Sequence, residues 1–294
     1  MQDRAPLLAA GLGFVLVSFA LNSVATRFVV AAHLLDPGLT TAVRFLAGAG
    51  ALLALLAAQG RVRDARPTRA SLAPAFWLGA YAVLISYGYA HITAAAGTFA
   101  FYACVLLTMA LYGWGAEGQR PPPRALAGGL LALGGVGVLA LGRVEGTTPL
   151  GVALLAGTGI SWGLYSVLGR RSAQPLAFTS ANFVALGLAL LLPTAAALAG
   201  VAGPLAVTAQ GLLVAALMGA VTTALSYAVW YWALPRLTRA QAGTYQLAIP
   251  VLTALLGVAL LQEPIGPPLA LAAALVVGGM ALGTPRRAPR SAAF

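Results

Sequence analysis

The chain is poor in charged residues. Aspartate, glutamate, lysine and arginine make up 8 % of its 294 residues, and none of the 17 basic residues is a lysine. Soluble globular domains carry about 25 % charged residues, so this sequence has too few charges to cover a water-exposed surface. Hydrophobic residues make up 60 %, and the mean hydropathy is +0.90. These values exclude an intrinsically disordered chain and indicate an integral membrane protein.

Reactive side chains are equally scarce. The single cysteine, Cys104, excludes a disulfide-stapled secreted domain, and its place in mid-helix favours a packed apolar role. The six acidic residues lie at the ends of apolar runs or in loops, and the two histidines are not spaced as metal ligands. Neither a metalloprotease motif nor an acidic diphosphate-binding cluster occurs. We therefore expect no enzyme activity, no metal site and no cofactor.

Long uncharged runs separate the arginines. A spanning helix needs about 20 apolar residues, so the runs 70–116 and 172–235 each hold two helices. The runs lack the period-two alternation of a membrane β-barrel, and the sequence therefore predicts an all-α membrane protein with ten transmembrane helices. The predicted helices cover residues 7–32, 38–58, 72–92, 95–115, 123–142, 149–169, 176–198, 209–234, 241–261 and 267–283.

The net charge of +11 does not indicate a nucleic-acid partner, because of where the arginines lie. With ten helices, 14 of the 17 arginines fall on one side of the membrane, and only Arg27, Arg44 and Arg143 do not. The positive-inside rule then places the N- and C-termini in the cytoplasm. The 14 are Arg4, Arg61, Arg63, Arg66, Arg69, Arg120, Arg124, Arg170, Arg171, Arg236, Arg239, Arg286, Arg287 and Arg290.

The two halves of the chain resemble each other. Helices 1 to 4 fall on helices 6 to 9 at shifts of 143, 138, 140 and 146 residues. Five helices per half is an odd number, so the second half must lie upside down relative to the first. The sequence thus predicts two inverted-topology five-helix repeats, 1–145 and 146–294, an arrangement typical of secondary transporters with a substrate site near the midplane. The matched pairs include Phe19 with Trp162, Asn22 with Tyr165, Arg27 with Arg170, Arg44 with Asn182, and Glu117 with Glu263.

Several segments resemble a known family. The segment 37–45 resembles the second helix of an EamA repeat, and 151–171 resembles the start of the second EamA repeat, whose remainder is similar to 232–240, Pro250 and 262–264. The resemblance covers nearly the whole chain and implies the drug/metabolite transporter superfamily. It implies ten helices in two inverted repeats, transport and often export of small metabolites, and a central cavity lined by helices 1, 3, 4, 6, 8 and 9. Amino-acid exporters of that superfamily are the natural comparison.

Aromatic and small polar residues near the middle of the predicted helices form the candidate substrate site. A tyrosine hydroxyl or indole N–H there finds no partner in lipid, and a cavity would supply one; packing between helices is the alternative. Arg44 either snorkels to the outer interface, pairing with Asp36 or lipid phosphate, or holds a substrate carboxylate. The candidate residues are Asn22, Arg44, Tyr81, Thr98, Phe101, Tyr102, Trp162, Tyr165, Tyr227 and Gln246.

These features together predict a secondary transporter of the bacterial inner membrane that exports small metabolites by alternating access. Its partners would be the lipid bilayer and a small-molecule substrate. A largely apolar, aromatic cavity that can hydrogen-bond suits amino acids with aromatic or branched side chains. A drug or nucleotide-precursor carrier and a non-transporting membrane scaffold are the alternatives. Because no acidic residue lies inside a predicted helix, we expect transport to follow the substrate gradient without an obligatory proton-binding carboxylate.

Overall fold

A computed structural model of the chain describes residues 5–118, 120, 122–141, 144–169, 172, 174–201, 203–237 and 239–283. Within these ranges the regular structure is helical, apart from an isolated antiparallel bridge between Leu35 and Val207. The all-α prediction is therefore confirmed for the described residues. Seven arginines of the charge argument lie outside them: Arg4, Arg143, Arg170, Arg171, Arg286, Arg287 and Arg290.

Ten helices follow one another in the described part of the chain, close to the predicted positions. Nine are α1 Ala5–Ala31, α2 Pro37–Ala57, α3 Leu72–Gly88, α4 Ala94–Glu117, α5 Pro123–Leu141, α6 Pro149–Gly169, α7 Pro175–Leu198, α9 Arg239–Leu261 and α10 Pro267–Gly283. The helix α8 consists of Ala209–Leu217, a π-helical stretch Met218–Leu225, and Ser226–Ala233. Short 3₁₀ turns occupy Val62–Ala65, Arg69–Ser71 and Leu234–Arg236.

Most of the helices are long and apolar enough to span a membrane. Among the described residues, eight have the length and hydropathy of a spanning segment, and the apolar stretches Tyr245–Leu261 within α9 and Pro267–Gly283 of α10 are shorter. The largest departure from prediction is α3, which ends at Gly88 rather than near 92. The chain turns after Gly88 because the side chain of Tyr89 packs inward and is fully buried. The Tyr89 hydroxyl forms a hydrogen bond of 2.8 Å with Thr98 Oγ1.

Proline and side-chain caps set where several helices begin. Proline occupies the first turn of α2 and α7, where its missing N–H has no intrahelical partner to lose. Asp36 caps α2 by accepting the Gly38 N–H at 2.8 Å, and Thr208 caps α8 by accepting the Gly211 N–H at 3.0 Å. The starts of these three helices thus follow from their local sequence.

Packing between the helices follows a simple pattern. The helix α6 packs against α3 and α4, while α1 packs against α8 and α9. The helices α5 and α10 pack along each other, and α2 contacts both α7 and the π-helical part of α8. Glycines permit the closest approaches: a Cβ at Gly219 would lie 2.0 Å from the Arg44 carbonyl oxygen, and one at Gly128 would lie 2.4 Å from that of Gly279. Small residues at helix contacts are typical of membrane bundles.

Candidate functional site

A cavity of about 20 Å³ lies between the helices. It has room for about one water molecule, whereas small-molecule pockets in proteins range from about 300 to 1,000 Å³, so the helices must separate before a ligand can enter. Helices from both halves of the chain contribute, namely α1, α3, α4, α6 and α8. The lining residues are Phe19, Asn22, Ser23, Tyr81, Ile85, Phe101, Tyr102, Trp162 and Tyr227.

The structure brings most of the predicted site residues together at this cavity. Asn22, Tyr81, Phe101, Tyr102, Trp162 and Tyr227 line it. Two further predicted residues, Arg44 and Tyr165, are fully buried behind its wall, where they contact Asn22 and Trp162 respectively.

The other two predicted residues lie elsewhere. The Thr98 hydroxyl donates to the Ala94 carbonyl at 2.8 Å and meets the Tyr89 hydroxyl, so it ties α4 to the end of α3. Gln246 is half-buried on α9 and is not among the described residues that line the cavity.

Three lining residues were missed by the sequence prediction. Phe19 is the repeat partner of Trp162, Ser23 follows Asn22, and Ile85 is one helical turn beyond Tyr81. The repeat alignment could have identified Phe19, because its partner was already a candidate. The helical spacing places Ile85 on the same face of α3 as Tyr81, but its aliphatic side chain carries no polar group that would mark it as a site residue.

Trp162 is the centre of an aromatic cluster in the cavity wall. Its ring centroid lies 5.0 Å from that of Tyr227 and 5.1 Å from that of Tyr81, and Phe19 stands edge-on to it at 6.4 Å. Tilted and edge-on pairs at these distances are the arrangements that aromatic rings prefer. The cavity therefore offers ring faces and edges to an apolar group of a ligand.

Asn22 connects the cavity to two helices. Its Nδ2 donates to Thr223 Oγ1 at 2.9 Å, within the π-helical part of α8, and its Oδ1 accepts from Arg44 Nη1 at 3.2 Å. The hydroxyl of Thr26 donates to the Asn22 carbonyl oxygen at 2.7 Å. Asn22 thus both lines the cavity and ties helices together, so the two roles considered from its sequence position coexist.

Arg44 is a fully buried cation. Its guanidinium carbon lies 4.9 Å from the centre of the Phe45 ring and 5.8 Å from that of Tyr81. Apart from the Nη1 contacts to Asn22 and Thr26, no described residue hydrogen-bonds the guanidinium, and Nε and Nη2 are left without a partner. The snorkelling arrangement considered from the sequence is not what the structure shows, because the side chain does not reach the surface.

A second buried polar cluster lies behind Trp162. It consists of Tyr165, Thr179 and Asn182, and it occupies in the second half the positions that Asn22, Thr41 and Arg44 hold in the first. Among the described residues, none forms a well-aligned hydrogen bond to Tyr165 Oη, Thr179 Oγ1 or the amide of Asn182. The Tyr165 ring stacks on Phe178 at 6.0 Å. This cluster carries no charge, unlike its counterpart at Arg44.

The two ends of the bundle differ. At the end formed by 32–36, 89–93, 144–148, 203–208 and 262–266, called here the closed end, hydrogen bonds join the connections. Thr208 Oγ1 donates to the Leu34 carbonyl at 2.8 Å, and Thr148 Oγ1 donates to that of His91 at 3.2 Å. These bonds link the first half of the chain to the second.

An ion pair reinforces the closed end. Arg27 Nε lies 3.0 Å from Glu263 Oε1, and Arg27 Nη1 donates to the Tyr89 carbonyl at 2.8 Å. Glu263 Oε2 accepts the Ala94 N–H at 2.8 Å. Burial raises the pKa of the Glu263 carboxyl, and the hydrogen bonds from Ala94 and Arg27 lower it only in part. The pair joins α1, α3 and α4 to the connection that follows α9.

The opposite end, called here the open end, contains a vestibule of about 470 Å³ between the α2–α3 connection and the starts of α3 and α7. Phe178 and Ala181 lie in its wall, next to the buried Tyr165 that contacts Trp162. A ligand would therefore reach the cavity more directly from the open end. Within the described residues, no group of three acidic, histidine or cysteine side chains could hold a metal ion.

A bundle of apolar helices around a polar and aromatic cavity, closed at one end, is typical of membrane transporters. The EamA-like transporter family matches residues 149–284. The chain is also 40 % identical over 294 residues to PA1977, an uncharacterized protein of Pseudomonas aeruginosa, covering 99 % of each chain. A solved crystal structure matches with a TM-score of 0.63 and 25 % identity, covering 96 % of this chain and 98 % of its own. The chain belongs to the EamA-like transporter family, whose members are membrane transporters of the drug/metabolite transporter superfamily and not enzymes.

Proposed function

We propose that the protein is a secondary transporter that exports small amphipathic metabolites by alternating access, with aromatic or branched-chain amino acids as the expected class. The observation that carries this proposal is the aromatic, hydrogen-bonding cavity between the two halves, sealed at the closed end and adjoined by a vestibule at the open end. A substrate taken up from the open end would be released when the closed end opens.

Helix packing supports the proposed inverted repeats, 1–145 and 146–294. An exchange of α1 to α5 with α6 to α10 turns the contacts of α6 with α3 and α4 into those of α1 with α8 and α9, and both sets exist. The same exchange maps the α2–α7 and α5–α10 contacts onto themselves. Two halves that share one packing pattern can exchange their conformations, so that one end of the bundle closes as the other opens. Alternating access by rocking requires this exchange.

The arginines support a cytoplasmic position for the open end. Arg61, Arg63, Arg66 and Arg69 all lie in the α2–α3 connection beside the vestibule. By the positive-inside rule, we propose a bacterial inner-membrane protein with both termini in the cytoplasm and its vestibule open to the cytoplasm. That orientation suits an exporter, because the cavity would load from inside the cell.

Cysteine labelling tests this orientation. In a Cys104→Ala background, single cysteines replacing the exposed Gln59 or Arg63 should react only when a membrane-impermeant maleimide reaches the cytoplasm. Cysteines replacing the exposed His33, Glu145 or Val201 should react in intact cells. If positions 59 and 201 label from the same side, the inverted arrangement of the two halves is wrong.

Transport in proteoliposomes tests the function itself. Purified protein should equilibrate radiolabelled phenylalanine or leucine without an imposed pH gradient. Because Trp162 fills the centre of the cavity wall, Trp162→Ala should raise the rate of large substrates relative to small ones at least fivefold while the protein stays folded. Trp114→Ala is the matched control, since Trp114 is 49 % exposed on α4, and it should leave the ratio unchanged.

Two results would contradict the proposal. A folded protein that moves no amino acid but carries cationic drugs or nucleotide precursors would assign it to another substrate class of the superfamily. A folded protein that moves none of these compounds would indicate a membrane scaffold.

A uniform loss of rate in Trp162→Ala together with poor expression would show that Trp162 is a packing residue rather than one that sets substrate size.

A further inference from the structure

The guanidinium of Arg44 lies fully buried behind the cavity wall and has no counter-ion among the described residues. Arg27 and Arg61 each form an ion pair, with Glu263 and Asp64, whereas the described neighbours of Arg44 are the neutral Asn22 and Thr26 and two aromatic rings. We propose that the cavity selects its substrate by a carboxylate and an apolar side chain, and that an amino group on the substrate is dispensable. This inference rests on the proposed transport function and names the substrate class of the same cavity: small apolar monocarboxylates, whether or not they carry an α-amino group.

The free edge of Arg44 has the geometry that a carboxylate needs. Nε and Nη2 project from the same edge of the guanidinium, and this edge can donate two parallel hydrogen bonds to the two oxygens of one carboxylate. Both atoms are fully buried and lack a partner among the described residues. The third nitrogen, Nη1, is held by Asn22, which itself lines the cavity. The bond to Asn22 therefore ties the buried guanidinium to a residue of the cavity wall, and the Nε–Nη2 edge has no partner among the described residues.

Burial makes the missing counter-charge significant. An isolated ion inside a protein or a membrane is strongly disfavoured unless it is paired, because the low-dielectric surroundings replace its hydration poorly. Asn22, Thr26 and the rings of Phe45 and Tyr81 offset part of this penalty through dipoles and π-electrons. None of them neutralises the charge. A bound carboxylate would do so, which makes the occupied cavity more favourable than the empty one.

The cavity wall offers no comparable partner to the amino group of a substrate. Every side chain that lines the cavity is uncharged, so no described carboxylate is placed to receive a substrate ammonium. A zwitterion bound at Arg44 would leave the complex with a net positive charge, whereas a monoanion would leave it neutral. Tyrosine hydroxyls, Ser23 and the ring faces can solvate an ammonium but cannot neutralise it. The wall thus favours the carboxylate and gives no electrostatic preference to an amine.

Four probes that share one phenyl ring separate these contributions: 3-phenylpropanoate, phenylalanine, phenethylamine and 3-phenylpropan-1-ol. Their affinities for the purified full-length protein would be measured by isothermal titration calorimetry. We expect 3-phenylpropanoate to bind at least as tightly as phenylalanine and at least tenfold more tightly than the amine or the alcohol. Arg44→Gln should reduce the affinity for both carboxylates at least tenfold, to that of the alcohol. Arg44→Lys should lie between, because lysine keeps the charge but lacks the two-pronged edge.

The control is Arg63→Gln, which removes an exposed arginine far from the cavity wall and should change none of the four affinities. Phenylalanine binding tenfold more tightly than 3-phenylpropanoate would overturn the inference and leave amino-acid transport intact. Equal affinities for the four probes, or binding of none, would also overturn it, and the transport assay with radiolabelled amino acids judges the proposed function separately. The comparison among probes on the unmodified protein decides the question even if the Arg44 variants fail to fold.

Discussion

Glu263→Arg should abolish transport. The change places a second guanidinium beside Arg27, where the side chain of Glu263 is only 12 % exposed. Two like charges about 4 Å apart repel each other by roughly 4 kcal/mol when the effective dielectric constant is near 20. The Ala94 N–H would also lose its acceptor. The closed end could then no longer form as described, and uptake into proteoliposomes should fall at least tenfold.

The reversed pair Arg27→Glu with Glu263→Arg should recover part of this loss, because opposite charges again face each other. Glu145→Arg, which places the same charge on an exposed residue of the closed end, should transport like the unmodified protein. Normal transport by Glu263→Arg alone would contradict the gating role of the ion pair.

Glu263→Gln should behave differently and keep downhill transport. Because burial raises the pKa of Glu263, the folded protein favours the neutral form of this carboxyl more strongly than water does. The stability that this group contributes is therefore full below the ordinary pKa of a glutamate and declines as the pH rises through the raised value. Glutamine resembles that neutral form. Uphill accumulation driven by a pH jump and lost in Glu263→Gln would show that this carboxylate couples transport to protons.

Gly128→Val should prevent the protein from folding. A Cβ at Gly128 would lie 2.4 Å from the Gly279 carbonyl oxygen and 2.7 Å from the Gly283 nitrogen. Both are backbone atoms that cannot rotate away, so α5 and α10 would have to separate. Overpacking a tight core typically costs about 1–3 kcal/mol, and a clash with backbone exceeds that range. Size-exclusion chromatography in detergent should show aggregate in place of the folded peak.

Gly134→Val on the same helix is the matched control. A Cβ at Gly134 meets no atom within 4 Å, so this variant should express and elute as the unmodified protein does, with a melting temperature within a few degrees of it. The two substitutions have the same helix propensity cost, and only the contact differs. Similar losses in both variants would show that β-branching in α5, rather than its packing on α10, limits folding.

The sequence predicted the helices well because hydropathy and arginine placement are local signals. The start of α6 at Pro149 and that of α10 at Pro267 match the predicted boundaries, since proline marks the first turn. The turn after Gly88 was not predictable in this way, because it depends on the burial of Tyr89 against Thr98, a tertiary contact. The sequence does not distinguish the glycines of α5 from one another. The packed structure does, because Gly128 lies against the backbone of α10 whereas Gly134 has open space beside it.

The sequence predicted which types of residue form the site, but not how far along the membrane-spanning helices each one lies. Thr98, Phe101 and Tyr102 share one stripe of α4, yet Phe101 and Tyr102 reach the cavity while Thr98 lies a turn away from it, against Tyr89. A helical stripe runs the length of the membrane, whereas a cavity occupies part of its thickness. Arg44 shows the same limit: its sequence position gave its depth along α2 but not whether its side chain turned toward lipid or toward Asn22.

The π-helical stretch in α8 holds more residues than an α-helix of the same length would, between the start of α8 and Tyr227 at the cavity wall. A wider turn accommodates one more residue than an α-helix over the same path, and each residue added to or removed from an α-helix rotates everything beyond it by about 100°. Met218–Leu225 carries Thr223, the partner of Asn22, and precedes Tyr227 at the cavity wall. Loss of a single residue within this stretch would therefore let it close to an α-helix over the same path and keep Tyr227 facing Trp162. Loss of a residue between the stretch and Tyr227 would instead turn Tyr227 about 100° away from Trp162.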